Sequence, residues 1–172
     1  MSQSLTQLYL HIVFSTKNHV PFLKPFIRKE LYNYFGGILN NVECSPIKIG
    51  GIDDHVHILC HLSKKMTTIK LLEEIKKSSS KWIKSKGEEF EKFHWQDGYG
   101  AFTVSPSGVD NISLYIDNQE EHHSHKRFKD EYIALLKINN TNYDERYLWD
   151  CIYSALTGLK FVVLLAMDAV HR

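Results

Sequence analysis

Asp53-Asp54-His55-Val56-His57-Ile58-Leu59-Cys60-His61-Leu62 is the stretch whose reading decides the fold. From His55 onward it alternates. Val56, Ile58 and Cys60 share one face, and His55, His57, Leu59 and His61 share the other. Strand side chains project with a period of two, so the segment reads as a strand with an apolar face on a core. The imidazoles of His55 and His57 then stand side by side on the opposite face.

Working outward, Leu8 to Phe14 alternates in the same way, with Leu8, Leu10, Ile12 and Phe14 against Tyr9, His11 and Val13. It reads as a first strand. Ser15 to Lys24 is a polar loop, and Pro25 suits the start of a helix. Ile27, Leu31, Tyr34 or Phe35, and Ile38 give that helix an apolar stripe, which Gly36 and Gly37 weaken in its second half. Pro46 to Ile49 is a short strand ended by Gly50-Gly51. After the histidine strand, Thr67 or Thr68 caps a helix that runs to about Lys84, with Ile69, Leu72, Ile75 and Trp82 or Ile83 inward. Gly98-Tyr99-Gly100 is a loop with freedom for close backbone approach, and Ala101 to Ser105 is a fourth strand. Asp110 caps a helix that carries Ile112, Tyr115, Ile116 and Gln119. A further helix carries Phe128, Tyr132 and Leu135, and Asn139 to Asn142 is a turn.

The order is β-α-β-β-α-β, which predicts an α+β fold: a ferredoxin-like core with an antiparallel sheet, followed by C-terminal helices that carry Tyr115. Residues 1–150 read as a single domain and 151–172 as an apolar C-terminal extension. A membrane helix needs about 20 apolar residues with few charges. Gly158, Lys160 and Asp168 interrupt the apolar tail, so a packed or interface segment is expected and no membrane partner.

Composition sets outer bounds. A chain of 172 residues with 43% hydrophobic and 24% charged content suits one globular domain. The start is polar and lacks the basic opening of a signal peptide. Three cysteines without a CxxC pair argue against a disulfide framework or a cysteine zinc site and for a reducing, cytoplasmic compartment. Net charge is only +1, which removes a global electrostatic case for nucleic acid. Charge is nevertheless local: Lys64 to Lys86 holds eight lysines against two glutamates. Lys70, Lys77, Lys81 and Lys84 fall on one helical stripe, a candidate polyanion surface. A solvated helix face explains the same stripe equally well.

An isolated H-x-H is a weak signal in a chain with ten histidines, yet neutral imidazole is the commonest metal ligand. Tyr115 and Gln119 are i and i+4 and share a helical face. If that helix lies near the strand, two imidazoles and an amide oxygen meet beside a phenol. Such a set leaves positions open for phosphate oxygens, tolerates Mg2+ or Mn2+, and does not exclude zinc. A phenol with an ordinary pKa of about 10 needs activation. Its attack on a phosphodiester gives a phosphotyrosine that conserves the bond for rejoining. His122-His123-Ser124-His125 reads mainly as polar surface. Tyr99, Trp95, Phe102 and Trp82 are candidates for stacking on bases, with core packing preferred for Trp82. There is no GxGxxG, GxxxxGK[ST], HExxH or GxSxG.

The chain resembles the small single-strand DNA transposases with a His-hydrophobe-His motif and one catalytic tyrosine, the insertion-sequence-two-hundred type. The resemblance rests on ordered blocks over roughly Leu5 to Asp150: His11-Ile-Val-Phe-Ser-Thr-Lys17, Gly50-Gly-Ile-Asp-Asp-His-Val-His57, Lys76-Lys-Ser-Ser-Ser-Lys-Trp82, Trp95-Gln-Asp-Gly-Tyr-Gly-Ala-Phe102 and Tyr115-Ile-Asp-Asn-Gln119. Glu120-Glu-His-His123 and Phe128-Lys-Asp-Glu-Tyr132 extend it. The resemblance implies that His55, His57 and Gln119 bind a divalent ion. It implies that Tyr115 attacks single-stranded DNA flanked by hairpins, leaving a 5′-phosphotyrosine and a 3′-OH. It further implies a homodimer in which the tyrosine helix can serve the other subunit, and a DNA contact surface on the lysine-rich helix. A host-retained nickase acting on hairpin repeats, or a catalytically silent DNA-binding regulator on the same fold, would share these blocks.

Overall fold

The computed structural model describes residues 5–148. Strands β1 (Tyr9–Ser15), β2 (Ser45–Gly51), β3 (His55–His61) and β4 (Gly100–Val104) form one sheet in the order β2-β3-β1-β4, antiparallel at every pairing. Helix α1 (Pro25–Asn41) joins β1 to β2, and α2 (Thr68–Lys84) joins β3 to β4. This is the split β-α-β-β-α-β arrangement read from the sequence. Four short helices follow: α3 (Val109–Asp117), α4 (Gln119–His123), α5 (Phe128–Ile138) and α6 (Glu145–Leu148). Among the described residues no helix is long and apolar enough to cross a membrane. The apolar extension at 151–172 lies outside the described residues.

Strand alternation divides the molecule into two faces. Leu10, Ile12 and Phe14 of β1 and Val56, Ile58 and Cys60 of β3 enter one core with Ile27, Leu31 and Phe35 of α1 and Leu72, Ile75 and Ile83 of α2. The histidines of β1 and β3 take the other face. α1 runs unbroken through Gly36 and Gly37, because its buried stripe outweighs the modest cost of two glycines. The Thr67 side chain accepts from the Lys70 N–H and caps α2. This start places Leu71, Leu72, Ile75, Ser79 and Ile83 inward and leaves Ile69 62% exposed, contrary to the inward position expected for Ile69. Trp95 is core. Its Nε1 donates to Ser79 Oγ at 2.9 Å, and its ring meets Phe14 edge to face. Trp82 stacks on Tyr34 at 5.1 Å.

Two local differences bear on the site. Gly50 and Gly51 lie inside β2, paired with His57 and Val56, rather than ending it. A Cβ on Gly50 would come 2.8 Å from the carbonyl oxygen of Ile116, so the absence of a side chain lets α3 lie directly on β2. The single helix expected to carry both Tyr115 and Gln119 breaks at Asn118, whose φ of −91° and ψ of 17° leave the helical region, and Gly108 rather than Asp110 precedes its first turn. Gly50→Ala is expected to push α3 from the sheet and destabilise the fold by about 1–3 kcal/mol, the usual cost of overpacking. Urea denaturation would show this as a lower midpoint at unchanged slope; an unaltered midpoint would contradict the close approach.

Candidate functional site

The floor of the site is the histidine face of the sheet. His55 lies opposite Ser15, and His57 opposite Val13, in the β1–β3 register. Both imidazoles are fully buried. His55 Nδ1 is 2.7 Å from Asp54 Oδ1, and His57 Nδ1 is 2.9 Å from His11 Nε2. Each ring is thus fixed through Nδ1, and its Nε2 points away from the sheet. Orienting a ligand histidine through its second nitrogen is the usual way to fix tautomer and direction at a metal.

The roof comes from α3, α4 and α5. Gln119 opens α4, and Glu131 stands on α5 between Phe128 and Leu135; both side chains are buried. Glu131 Oε1 accepts from Gln119 Nε2 at 2.9 Å and from the Tyr115 hydroxyl. Its Oε2 is 2.9 Å from His123 Nε2 and 3.4 Å from His55 Nε2. His57 Nε2 lies 3.6 Å from the carboxylate and has no hydrogen-bond partner. The Tyr115 ring meets His57, His11 and His122 edge to face, at 5.7, 6.2 and 5.5 Å between centroids.

Four atoms with lone pairs converge here. Asp54 takes the Nδ1–H of His55 and so directs Nε2 into the cluster. That nitrogen faces Gln119 Oε1 at 3.1 Å, while the Gln119 amide N–H is committed to Glu131. The ligand atoms of His55, His57 and Glu131 all lie within 4.8 Å of one another. Two imidazole nitrogens and a carboxylate oxygen, with an amide oxygen alongside, fit a divalent ion.

The ionisation states agree with this chemistry. Burial lowers His57 to about 4, with Glu131 opposing and His55 assisting. Burial, helped by His57, lowers His11 to about 3. Both are therefore neutral ligand-type imidazoles. Burial alone would raise Glu131, but the hydrogen bond from His123 and the adjacent His57 and His55 imidazoles outweigh it and hold the carboxyl well below the ordinary carboxylate range. Burial, and then the Glu131 charge, raises the Tyr115 phenol above its usual value.

His55, His57, Gln119 and Tyr115 come together as the sequence suggests, although Tyr115 and Gln119 sit on separate helices. Glu131 and His11 were not singled out, and His123, read mainly as polar surface, instead packs against Glu131 with its side chain 5% exposed. Lys70, Lys77, Lys81 and Lys84 are exposed on α2, which covers the opposite face of the sheet, and so stand apart from the cluster. Lys84 Nζ reaches His94 Nε2 at 3.2 Å. Tyr99 is 39% exposed and lines a cavity beside the histidines, whereas Phe102 is buried.

The site is thus a four-stranded ferredoxin-like sheet that carries paired histidines beneath a helix-borne tyrosine. The profile of the family described as "Transposase IS200 like" matches residues 4–119, most of the chain, and the chain belongs to that family. Two solved structures share the fold. A candidate transposase from Deinococcus radiodurans R1 superposes with a TM-score of 0.55 at 20% identity, covering 69% of this chain and 98% of that one. A REP-associated tyrosine transposase bound to a REP hairpin gives 0.54 at 14% identity, covering 72% of this chain and 74% of that one. No curated protein matches the sequence.

The buried neutral histidines set a pH response. With folded values near 3 for His11 and 4 for His57 against an ordinary 6.5, the folded chain binds fewer protons than the unfolded one in that interval. Their contribution to stability is complete above pH 6.5 and is lost as pH falls toward 4. His123 works in the opposite sense. Burial lowers it, but the Glu131 hydrogen bond and charge outweigh that and raise it overall, one histidine against the four that are lowered, His11, His19, His57 and His122. The metal-free protein should therefore show a urea midpoint that declines from pH 6.5 to 4; a flat profile would contradict neutral buried imidazoles.

Proposed function

We propose that this chain is a metal-dependent enzyme that cleaves and rejoins single-stranded DNA through a tyrosine intermediate. The observation that carries the reading is the Tyr115 hydroxyl resting on Glu131, inside the ring of convergent ligand atoms of its own chain. His55, His57 and Glu131, with Gln119 alongside, would hold a divalent ion, Mg2+ or Mn2+, that supplies Lewis-acid polarisation of the scissile phosphate.

Tyr115 Oη attacks phosphorus and the P–O3′ bond breaks. The products are a 5′-phosphotyrosine and a free 3′-OH. Glu131 Oε1 is the acceptor nearest the tyrosine proton, and the leaving 3′ oxygen takes a proton from water. Rejoining is the reverse, with a 3′-OH as nucleophile. Asp54 and His11 keep the two imidazoles aimed, and the buried setting strengthens each of these interactions. Hairpin DNA is the substrate class we infer, because a similarly folded transposase is bound to a hairpin. Tyr115 stands beside His57 and Glu131 of its own chain, which supports a site assembled, and cleavage carried out, in cis. A homodimer, which the resemblance implies, would not be needed to assemble it.

The reading is tested by trapping. The protein is incubated with labelled single-stranded hairpin DNA from its own genomic flanks and Mn2+. An adduct that survives denaturation is expected, and it should be absent with Tyr115→Phe or EDTA. Binding without an adduct on the correct flanks would favour a silent regulator. Mixing Tyr115→Phe with His57→Ala chains should give no rescue, since neither mutant holds a whole site. Glu131→Gln keeps the shape but removes the charge; calorimetry should show Mn2+ affinity reduced at least about tenfold, in the range seen when metal-site carboxylates are altered.

A further inference from the structure

Beside the metal-capable cluster, on the far side of Phe128 from His55, lies a groove whose lining includes Asp54 and His123. Phe128 stacks on His55 at 4.3 Å between ring centroids, and Tyr132 continues the row 5.6 Å beyond it. Tyr99 lines the same cavity, which measures about 790 Å³ and has Lys126, Arg127 and Lys129 among its lining residues. That volume lies within the ordinary range for small-molecule sites. The loop that presents Tyr99 is held firmly. Lys76 Nζ donates to the carbonyl oxygens of Gln96, Asp97 and Gly98 at 2.8, 3.1 and 2.9 Å, and lies 5.6 Å from the centre of the Tyr99 ring. The aromatic surface is therefore positioned before any ligand arrives.

The groove has a polarity. Tyr115 packs at the His57 and His11 end of the cluster, while Phe128 and the groove lie at the His55 end. In a phosphoryl transfer the attacking and leaving oxygens stand roughly in line across phosphorus. A phosphate centred over the cluster and attacked from the Tyr115 side thus expels its leaving oxygen toward the groove. For a reaction that yields a 5′-phosphotyrosine, that oxygen is the 3′ oxygen of the upstream nucleotide.

We propose that this groove binds the nucleotide immediately 5′ of the cleaved bond. Its base stacks on the tyrosine-lined wall, and its own 5′ phosphate meets the cations of the α4–α5 connection. The proposal rests on the tyrosine chemistry above and adds the subsite that holds the departing strand in place for rejoining.

Two measurements separate this proposal from that reading. The first needs no cleavage. The Tyr115→Phe protein is titrated with a pentanucleotide, dT-dT-(2-aminopurine)-dT-dT. Fluorescence is expected to be quenched on binding. Tyr99→Ala should weaken binding about tenfold, in line with the loss of one base–aromatic stack, while Tyr99→Phe retains it. The second maps the cleaved bond from the 3′-OH product and places an abasic site on either side of it. Adduct formation by the wild type should fall about tenfold with the abasic site on the 5′ side and change little on the 3′ side. In Tyr99→Ala the 5′ abasic site should add nothing further. Quenching that depends on Tyr99 without any adduct would uphold the base site and overturn the chemistry. An adduct formed with no Tyr99-dependent quenching, or one sensitive only to the 3′ abasic site, would overturn the proposed groove.

Discussion

His55 Nε2, the amide oxygen of Gln119 and the carboxylate of Glu131 point into one buried space. Burial removes the water that would otherwise solvate the charge, and a buried carboxylate is tolerated only when it is paired and hydrogen-bonded. Glu131 satisfies that condition by gathering donors from three directions: the phenol of Tyr115, the amide of Gln119 and the imidazole of His123. The same contacts fix three helices over the sheet. The position of Tyr115 is therefore a consequence of how one carboxylate is neutralised.

The sheet makes this possible by keeping its two faces separate. The α1–α2 side is apolar and carries the core, so the opposite side can hold buried polar groups without disturbing it. Contact between α3 and β2 then depends on Gly50, where a side chain would meet the Ile116 carbonyl. Tyr115 is one residue from that contact. Its reach to His57 and Glu131 is set by a backbone-on-backbone approach, which is stiffer than side-chain packing.

What could be read from the sequence was whatever follows a short period. Alternation around His55 and His57 gave the strand, its direction of burial and both imidazoles. The order of elements gave the topology, because few connections satisfy it. Glu131 lies outside any such period relative to the histidines; it joins them only once α5 docks. One signal was present. Phe128, Glu131 and Leu135 share a helical stripe, and a carboxylate on an apolar stripe requires a buried partner. The break at Asn118 was hidden because Tyr115 and Gln119 keep helical spacing across it. Ile69 was misplaced since its spacing to Leu72 is as helical as that of Leu71 to Ile75, and only the cap at Thr67 distinguishes them.

Tyr115 carries a constraint of its own. Burial and the neighbouring carboxylate both favour the protonated phenol, so Tyr115 rests as a neutral phenol beside a charged carboxylate. Reducing the negative field of Glu131 favours the phenolate, and a divalent ion among the ligand atoms would do so. A phosphate needs that same ion to shield its charge from the same carboxylate. In the proposed reaction the phenol and the phosphate would thus answer to one neutralisation event at Glu131.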